Sequence, residues 1–290
     1  VPTAAALLCA ATRSLREAGI EAPRAEARLL LREATGWTPE RLLAEPLAAV
    51  PETATRRMAR LVEARAARTP MAYVLGEREF WSLAISVGPG ALVPRPETET
   101  LVEAAIEALP DRDRGLRILD LGTGSGCLLV ALLRTYRRAT GVGTERSAAA
   151  LGWARANLAR HRLLDRALLL RTDWAAGLAG RFELIVANPP YVASAELARL
   201  EPEVARHEPV EALDGGADGL AAYRALLPDL ARLLAPGGLA CLEIGAGQEP
   251  ALRRLCAEAG LAVAVRPDLA GIARCLVLRG EPGAGSVTAR

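Results

Sequence analysis

Apolar and polar positions follow two different rhythms along the chain. In residues 1–76 apolar side chains recur at helical spacing. Ala27, Leu30, Leu31 and Ala34 form one stripe, closed by Gly36 as a stop, and Met58, Leu61 and Val62 form the next. Pro23 and Pro51 fit first-turn positions, where a missing N–H costs little. The pattern predicts a bundle of four or five short helices. Near Glu79 the period shortens. Phe80, Leu83, Ile85 and Val87 make a strand-like run that ends at Gly88-Pro89-Gly90, so residues 77–93 read as a hairpin or extended linker.

From Pro94 to residue 280 short apolar runs alternate with helical stretches. The strands expected are Arg117–Leu121, Thr140–Glu145, Ala167–Arg171, Glu183–Ala187, Gly238–Ile244, Leu261–Arg266 and Arg274–Arg279. The helices expected between them are Glu97–Leu109, Gly126–Tyr136, Ala148–His161, Gly219–Leu234 and Gln248–Ala259. Such alternation predicts an α/β fold, a seven-stranded and mostly parallel sheet with helices on both faces. No helix separates the last two strands, so a hairpin there should make one edge strand antiparallel. Residues 281–290 read as a loose tail.

Composition narrows the class. Of 290 residues, 51% are apolar and 24% charged, which excludes disorder as the main state. The longest apolar runs fall far short of the ~20 residues that a membrane helix needs. With no secretory signal pattern at the start, a cytoplasmic location is the expectation. All 36 basic residues are Arg, yet the net charge is +2, which argues against a nucleic-acid surface. Five cysteines without a CxxC pair, and two histidines, give neither a disulfide framework nor a zinc site. The arginines at 56, 57, 60, 65 and 68 form either a partner surface or a solvated helix face.

Two turns carry candidate chemistry. The first strand runs through Asp120 and Leu121 into Gly122-Thr123-Gly124-Ser125-Gly126 and then a helix. Glycines permit a tight turn and close approach of a ligand to the backbone, while the helix start offers free N–H donors. The spacing is GxGxG rather than the GxGxxG of dinucleotide sites. The second strand ends at Glu145, either an exposed strand-end carboxylate or an acceptor for ribose hydroxyls. Asp173-Trp174 closes the third strand, as a cap and a core aromatic or as a clamp for an adenine.

The fourth strand runs into Asn188-Pro189-Pro190-Tyr191. Two prolines stiffen the backbone and remove two donors. Carbonyls are left to accept, Asn188 adds a neutral acceptor, and Tyr191 adds a flat face. In open α/β sheets ligands bind beyond the carboxyl ends of the strands, which places this turn beside the glycine turn. The set suits capture of a planar –NH2 group, with Asn188 Oδ1 and a Pro189 carbonyl each taking one N–H. His161 and His207 lie outside these motifs, so no strong general base is assigned. The loop 192–218 is long enough to be a functional lid.

These residues resemble the class I S-adenosylmethionine-dependent methyltransferases, and more closely the HemK/PrmC family of N5-glutamine methyltransferases of peptide chain release factors. The resemblance spans RTPMAYVLGEREF at 68–80, VPRPETETLVE at 93–103, DLGTGSG at 120–126, NPPY at 188–191, the segment 208–220 and LEIGAGQ at 242–248. It implies that Gly122, Thr123, Gly124, Ser125, Gly126, Glu145, Trp174 and Asn188 contact S-adenosyl-L-methionine. It further implies that Asn188, Pro189, Pro190 and Tyr191 bind the glutamine of the release factor GGQ tripeptide, with Asn188, Pro189 and Tyr191 in the catalytic role. Residues 1–76 would recognise the release factor, 77–93 would link, and 94–280 would form the catalytic domain. A monomer that needs no metal, nucleic acid or membrane is expected. Glu145 stands where the family usually has Asp, and Arg146 where an apolar residue is usual.

Four rivals are weaker. A glutamine methyltransferase of a ribosomal protein resembles PRS where this chain has Pro94-Arg95-Pro96-Glu97-Thr98-Glu99. A DNA amino-methyltransferase would want a basic groove. A non-catalytic protein or an NAD oxidoreductase on the same fold fits neither the NPPY turn nor the glycine spacing.

Overall fold

The computed structural model describes residues 1–280, and the expected tail at 281–290 lies outside them. The chain divides into two units, one of Val1–Glu77 with Glu201–His207, the other of Arg78–Leu200 with Glu208 onward. The first is helical: α1 (Ala4–Glu17), α2 (Pro23–Thr35), α3 (Pro39–Ala44), α4 (Glu52–Ala66) and α5 (Met71–Leu75). Thr3 caps α1 by accepting the Ala6 N–H at 3.2 Å, and Gly36 ends α2 in the left-handed conformation at φ 68°. Leu15, Leu30, Leu31 and Met58 are buried at the centre, where each contributes about 1.5–3 kcal/mol of apolar burial.

This unit corrects one expectation. Arg65 and Arg68 do not lie on an open basic face. Arg65 is buried, its Nε donating to Glu26 at 2.6 Å and its Nη1 to Glu203 at 2.7 Å. Arg68 donates to the other Glu203 oxygen at 2.7 Å and to the Gly19 carbonyl at 2.8 Å. Arg56 pairs with Glu52 and Arg57 with Glu33 on the surface, and Arg60 is exposed. A periodicity argument counts arginines on a helix. It cannot foresee an acidic side chain arriving from residue 203.

The second unit opens with a hairpin of β1 (Glu77–Phe80) and β2 (Leu83–Ser86), turned by Trp81 and Ser82 at φ 53° and 56°. Positive φ at both central residues matches the twist of a two-residue hairpin. There follow α6 (Glu99–Ala108), β3 (Arg117–Leu121), α7 (Cys127–Thr135), β4 (Thr140–Glu145), α8 (Ala148–Arg160), β5 (Ala167–Arg171) and β6 (Phe182–Ala187). After them come α9 (Pro202–His207), which belongs to the helical unit, α10 (Ala221–Leu233), β7 (Leu234–Glu243), α11 (Glu249–Glu258), β8 (Leu261–Pro267) and β9 (Ala273–Gly280).

The seven-stranded sheet has the order β5-β4-β3-β6-β7-β9-β8. Side chains alternate between its faces as the pleat requires. Ile118, Leu184 and Val186 join one core with α6, α7 and α8, while Leu119, Leu121, Ile185 and Ala187 join the other with α10 and α11. The antiparallel strand is β9, and it is not at the edge. It inserts between β7 and β8, pairing antiparallel with both. A hairpin leaves open which of its two strands docks on the sheet, and here the C-terminal one does.

β3 and β6 are adjacent and parallel, with Leu121 opposite Ala187. β4 lies on the other side of β3, with Thr144 opposite Leu121. The order therefore reverses direction at β3, and the turns that leave β3, β4 and β6 start at one level. That is the crevice where open α/β sheets bind ligands.

Candidate active site

A cavity of about 740 Å³ opens at this crevice, within the second unit. Its wall includes Gly122, Thr123, Gly124 and Ser125 after β3, Glu145 after β4, Asp173 and Trp174 after β5, and Asn188 and Pro190 after β6. The size is in the range of a small-molecule or cofactor site. Asn188 and Pro190 of the turn expected to hold an amide thus line one cavity with most of the residues expected to hold a cofactor. Gly126, Pro189 and Tyr191 are not on its wall: Gly126 leads into α7, Pro189 is buried, and Tyr191 packs against the second core.

The glycine turn is built to be approached closely. Gly122 is left-handed at φ 72°, and a Cβ there would stand 3.1 Å from the Trp174 ring. Trp174 itself holds φ 45°, a strained conformation for an aromatic residue of the kind that collects at ligand sites. Glu145 accepts the Gly124 N–H at 3.1 Å and the Ser147 N–H at 2.9 Å. A carboxylate offers about four lone-pair sites, so two remain for ribose hydroxyls. Beneath the turn, Asp120 accepts the Thr123 hydroxyl at 2.6 Å, while its Oδ1 is buried without a partner. Burial, helped by the nearby charge of Glu145, pushes the Asp120 carboxyl up to about 7 against the pull of Thr123.

The NPPY turn is held from behind. Asn188 Nδ2 donates to Thr98 Oγ1 at 3.1 Å. The Tyr191 hydroxyl donates to Glu243 Oε1 at 3.2 Å, and the Tyr191 carbonyl accepts from Gln248 Nε2 at 2.9 Å. Gly219, at φ 73°, lets the chain pass there: a Cβ on it would meet the Tyr191 carbonyl at 2.5 Å. Burial and the neighbouring Glu243 charge push the Tyr191 phenol up, so it remains a donor.

Sequence reasoning missed several of these supports. Thr98, Glu243 and Gln248 sit inside quoted motifs but had no assigned role. Asn157 lay within an ordinary helix. It is buried, accepts the Ser86 N–H at 2.7 Å, and donates to the Ser86 and Ser125 carbonyls at 2.8 Å each, tying the glycine turn to β2. Glu208 is buried, accepting the Val93 N–H at 3.0 Å and Arg95 at 2.6 Å, and so fixes the segment at the cavity rim. A polar residue at a position that the apolar rhythm marks as interior was the one available signal, as at Asn157 and Glu243.

Comparison with known proteins adds lineage to this geometry. The family described as PrmC N-terminal domain matches residues 6–76, and the methyltransferase small domain family matches residues 98–205. The release factor glutamine methyltransferase of Rhodospirillum rubrum is 45% identical over 267 residues, covering 91% of this chain and 81% of that protein. That of Moorella thermoacetica is 43% identical, covering 92% of this chain and 95% of the relative. This chain belongs to the release factor glutamine methyltransferase family.

It is accordingly an enzyme, a methyltransferase of the S-adenosylmethionine-dependent class. Solved structures agree on the fold. A ribosomal protein L11 methylase from Lactobacillus delbrueckii subsp. bulgaricus matches with TM-score 0.51 at 22% identity, covering 68% of this chain and 84% of that one. A methyltransferase from Pyrococcus furiosus matches with TM-score 0.50 at 18% identity, covering 77% and 97%. The cavity fits the cofactor of this family by its donor set: a ligand-accessible glycine backbone, a carboxylate at the end of β4, and the Trp174 ring. Among the described residues no helix is long and apolar enough to cross a membrane.

Proposed function

We propose that this methyltransferase modifies N5 of the glutamine in the GGQ tripeptide of bacterial peptide chain release factors, and that the Asn188–Tyr191 turn holds the carboxamide. One observation carries the reading. Asn188 lines the same cavity as the glycine turn while its Nδ2 is committed to Thr98, which leaves Oδ1 as the acceptor for a substrate N–H. The carbonyl of Pro189, a residue buried beside the wall between Asn188 and Pro190, would be the second acceptor, on a backbone that two prolines make rigid.

An amide nitrogen is a poor nucleophile because its lone pair is delocalised into the carbonyl. Holding both N–H bonds fixes where that lone pair points. Such alignment can supply several kcal/mol, up to ~7–11 in favourable cases. The two acceptors also stabilise positive charge that grows on nitrogen. S-Adenosylmethionine, when bound, supplies an electrophilic methyl group. Glu145 would hold its ribose, Gly122–Ser125 its charged amino acid portion, and Trp174 its adenine. Residues 1–76 would recognise the body of the release factor, and residues 94–280 would carry the reaction.

The test is incubation with labelled S-adenosylmethionine and purified release factor, then mass mapping of the methylated residue. Label on the GGQ glutamine, lost when that glutamine is replaced by alanine, is expected. Label elsewhere, or none, would sink the reading.

A further inference from the structure

Behind the NPPY turn stands a buried carboxylate for which the reaction has no direct use. Glu243 closes β7, is 1% exposed, and is not on the cavity wall. Its Oε1 accepts the Tyr191 hydroxyl. Its Oε2 is buried without a partner of good geometry, and the neighbouring side chain able to donate to it is Thr98. The Thr98 hydroxyl, itself 2% exposed, is the group that receives Asn188 Nδ2.

We propose that Glu243 is a positioning residue that sets the direction of the Asn188 carboxamide through Thr98 and the tilt of the NPPY turn through Tyr191. Given the reading of Asn188 as the substrate acceptor, the polarity of a hydrogen-bond chain assigns this role. In its ionised form, which gains ground as pH rises past about 7, the Glu243 carboxylate can only accept. It therefore turns the Thr98 proton toward Oε2. The Thr98 oxygen must then accept from Asn188, which forces the Asn188 –NH2 inward and Oδ1 outward. Reversed, the turn would present a donor to a substrate amide that needs an acceptor. A buried carboxylate oxygen without a donor is costly, which draws the Thr98 hydroxyl toward Oε2. Tyr191 ties the other oxygen to the far end of the turn, so one carboxylate governs both ends of a four-residue segment.

Three variants test this with a readout that a merely structural residue would not move. Thr98→Val removes the hydroxyl at nearly constant volume and leaves Glu243, Tyr191 and the other cavity residues in place. It should lower kcat for methylation of intact release factor on the order of tenfold to a hundredfold, the cost of ångström-scale misplacement. Calorimetric affinity for S-adenosylmethionine should change less than about threefold, since uniform binding is not lost. Thr98→Ser restores the hydroxyl and should recover most of kcat. Glu243→Gln, which can donate as well as accept, should share the kcat defect. If Glu243→Gln does not fold, the Thr98 pair still decides. A folded Thr98→Val enzyme with kcat near the wild type, or a defect that Thr98→Ser fails to rescue, overturns the proposal. Wild-type enzyme that leaves the glutamine unmodified instead defeats the functional reading on which it rests.

Discussion

The helical unit and the α/β unit both bury acidic side chains, but under opposite arrangements. In the helical unit Glu203 meets two arginines, and Arg65 meets two glutamates. Burial works against the charge of Glu203, yet Arg65 and Arg68 hold its carboxyl below the ordinary range. In the α/β unit Asp120 and Glu243 are more deeply buried, at 1% exposed each against 12% for the Glu203 side chain, and side-chain hydroxyls donate to them. Burial pushes both carboxyls up to about 7. A scaffold neutralises what it buries. A site keeps acceptors uncompensated where they can direct neighbouring groups, and the difference separates structure from chemistry without reference to any motif.

The comparison can be broken first at its structural side. Arg65→Ala takes the cation from Glu26 and leaves Glu203 with Arg68 alone, and should destabilise the protein by about 3–5 kcal/mol. Denaturant unfolding checks this, and a loss below 1 kcal/mol would show that water enters and replaces the guanidinium. At the site the corresponding lesion is kinetic. Asn188→Ala should cost on the order of a hundredfold to a thousandfold in turnover, the scale of one transition-state hydrogen-bonding group, with unfolding nearly unchanged. Near-normal methylation would remove Asn188 from the reaction.

Glu145 is intermediate, half-buried and satisfied by two backbone N–H groups. Glu145→Ala should weaken S-adenosylmethionine binding by about 1.5–3 kcal/mol, the value of hydrogen bonds to a charged group. Unchanged affinity by calorimetry would leave Glu145 as a support of the glycine turn alone. The mildest test is pH. A carboxyl raised in the folded state contributes stability that is present in acid and lost as pH rises toward 7. The α/β unit should therefore melt on the order of a few degrees lower at pH 7.5 than at pH 5.5. Glu243→Gln should flatten that slope, and a slope left unchanged would assign it to Asp120. The groups facing Glu243 are Glu97, Thr98, Cys127, Tyr191, Tyr223, Arg274 and Cys275. The paired acid slopes the other way: Glu203 stabilises above the ordinary carboxylate range, and that stability is lost as pH falls through its depressed value.

Much of this was legible in the residues themselves. The alternation of strands and helices, the GxGxG turn and the NPPY turn are local patterns, and local patterns report on local structure. The strand order at the end of the sheet was not legible, because whether β8 or β9 docks on β7 depends on side chains far apart in sequence. The supports of the site escaped for the same reason. Thr98 and Asn188 are 90 residues apart and Arg65 and Glu203 are 138 apart, and each looks ordinary where it stands. The segment 201–207 reads as part of the long, lid-like loop 192–218 until its partners are known.

That segment has a bearing on heredity. Because Glu201–His207 is stitched into the helical unit while its flanks belong to the other, the backbone passes between the two three times rather than once. The amino-terminal part is therefore not a detachable module that recombination could swap at a single crossover near residue 77. A graft from a relative would have to carry both pieces, or forfeit the acid that Arg65 and Arg68 enclose.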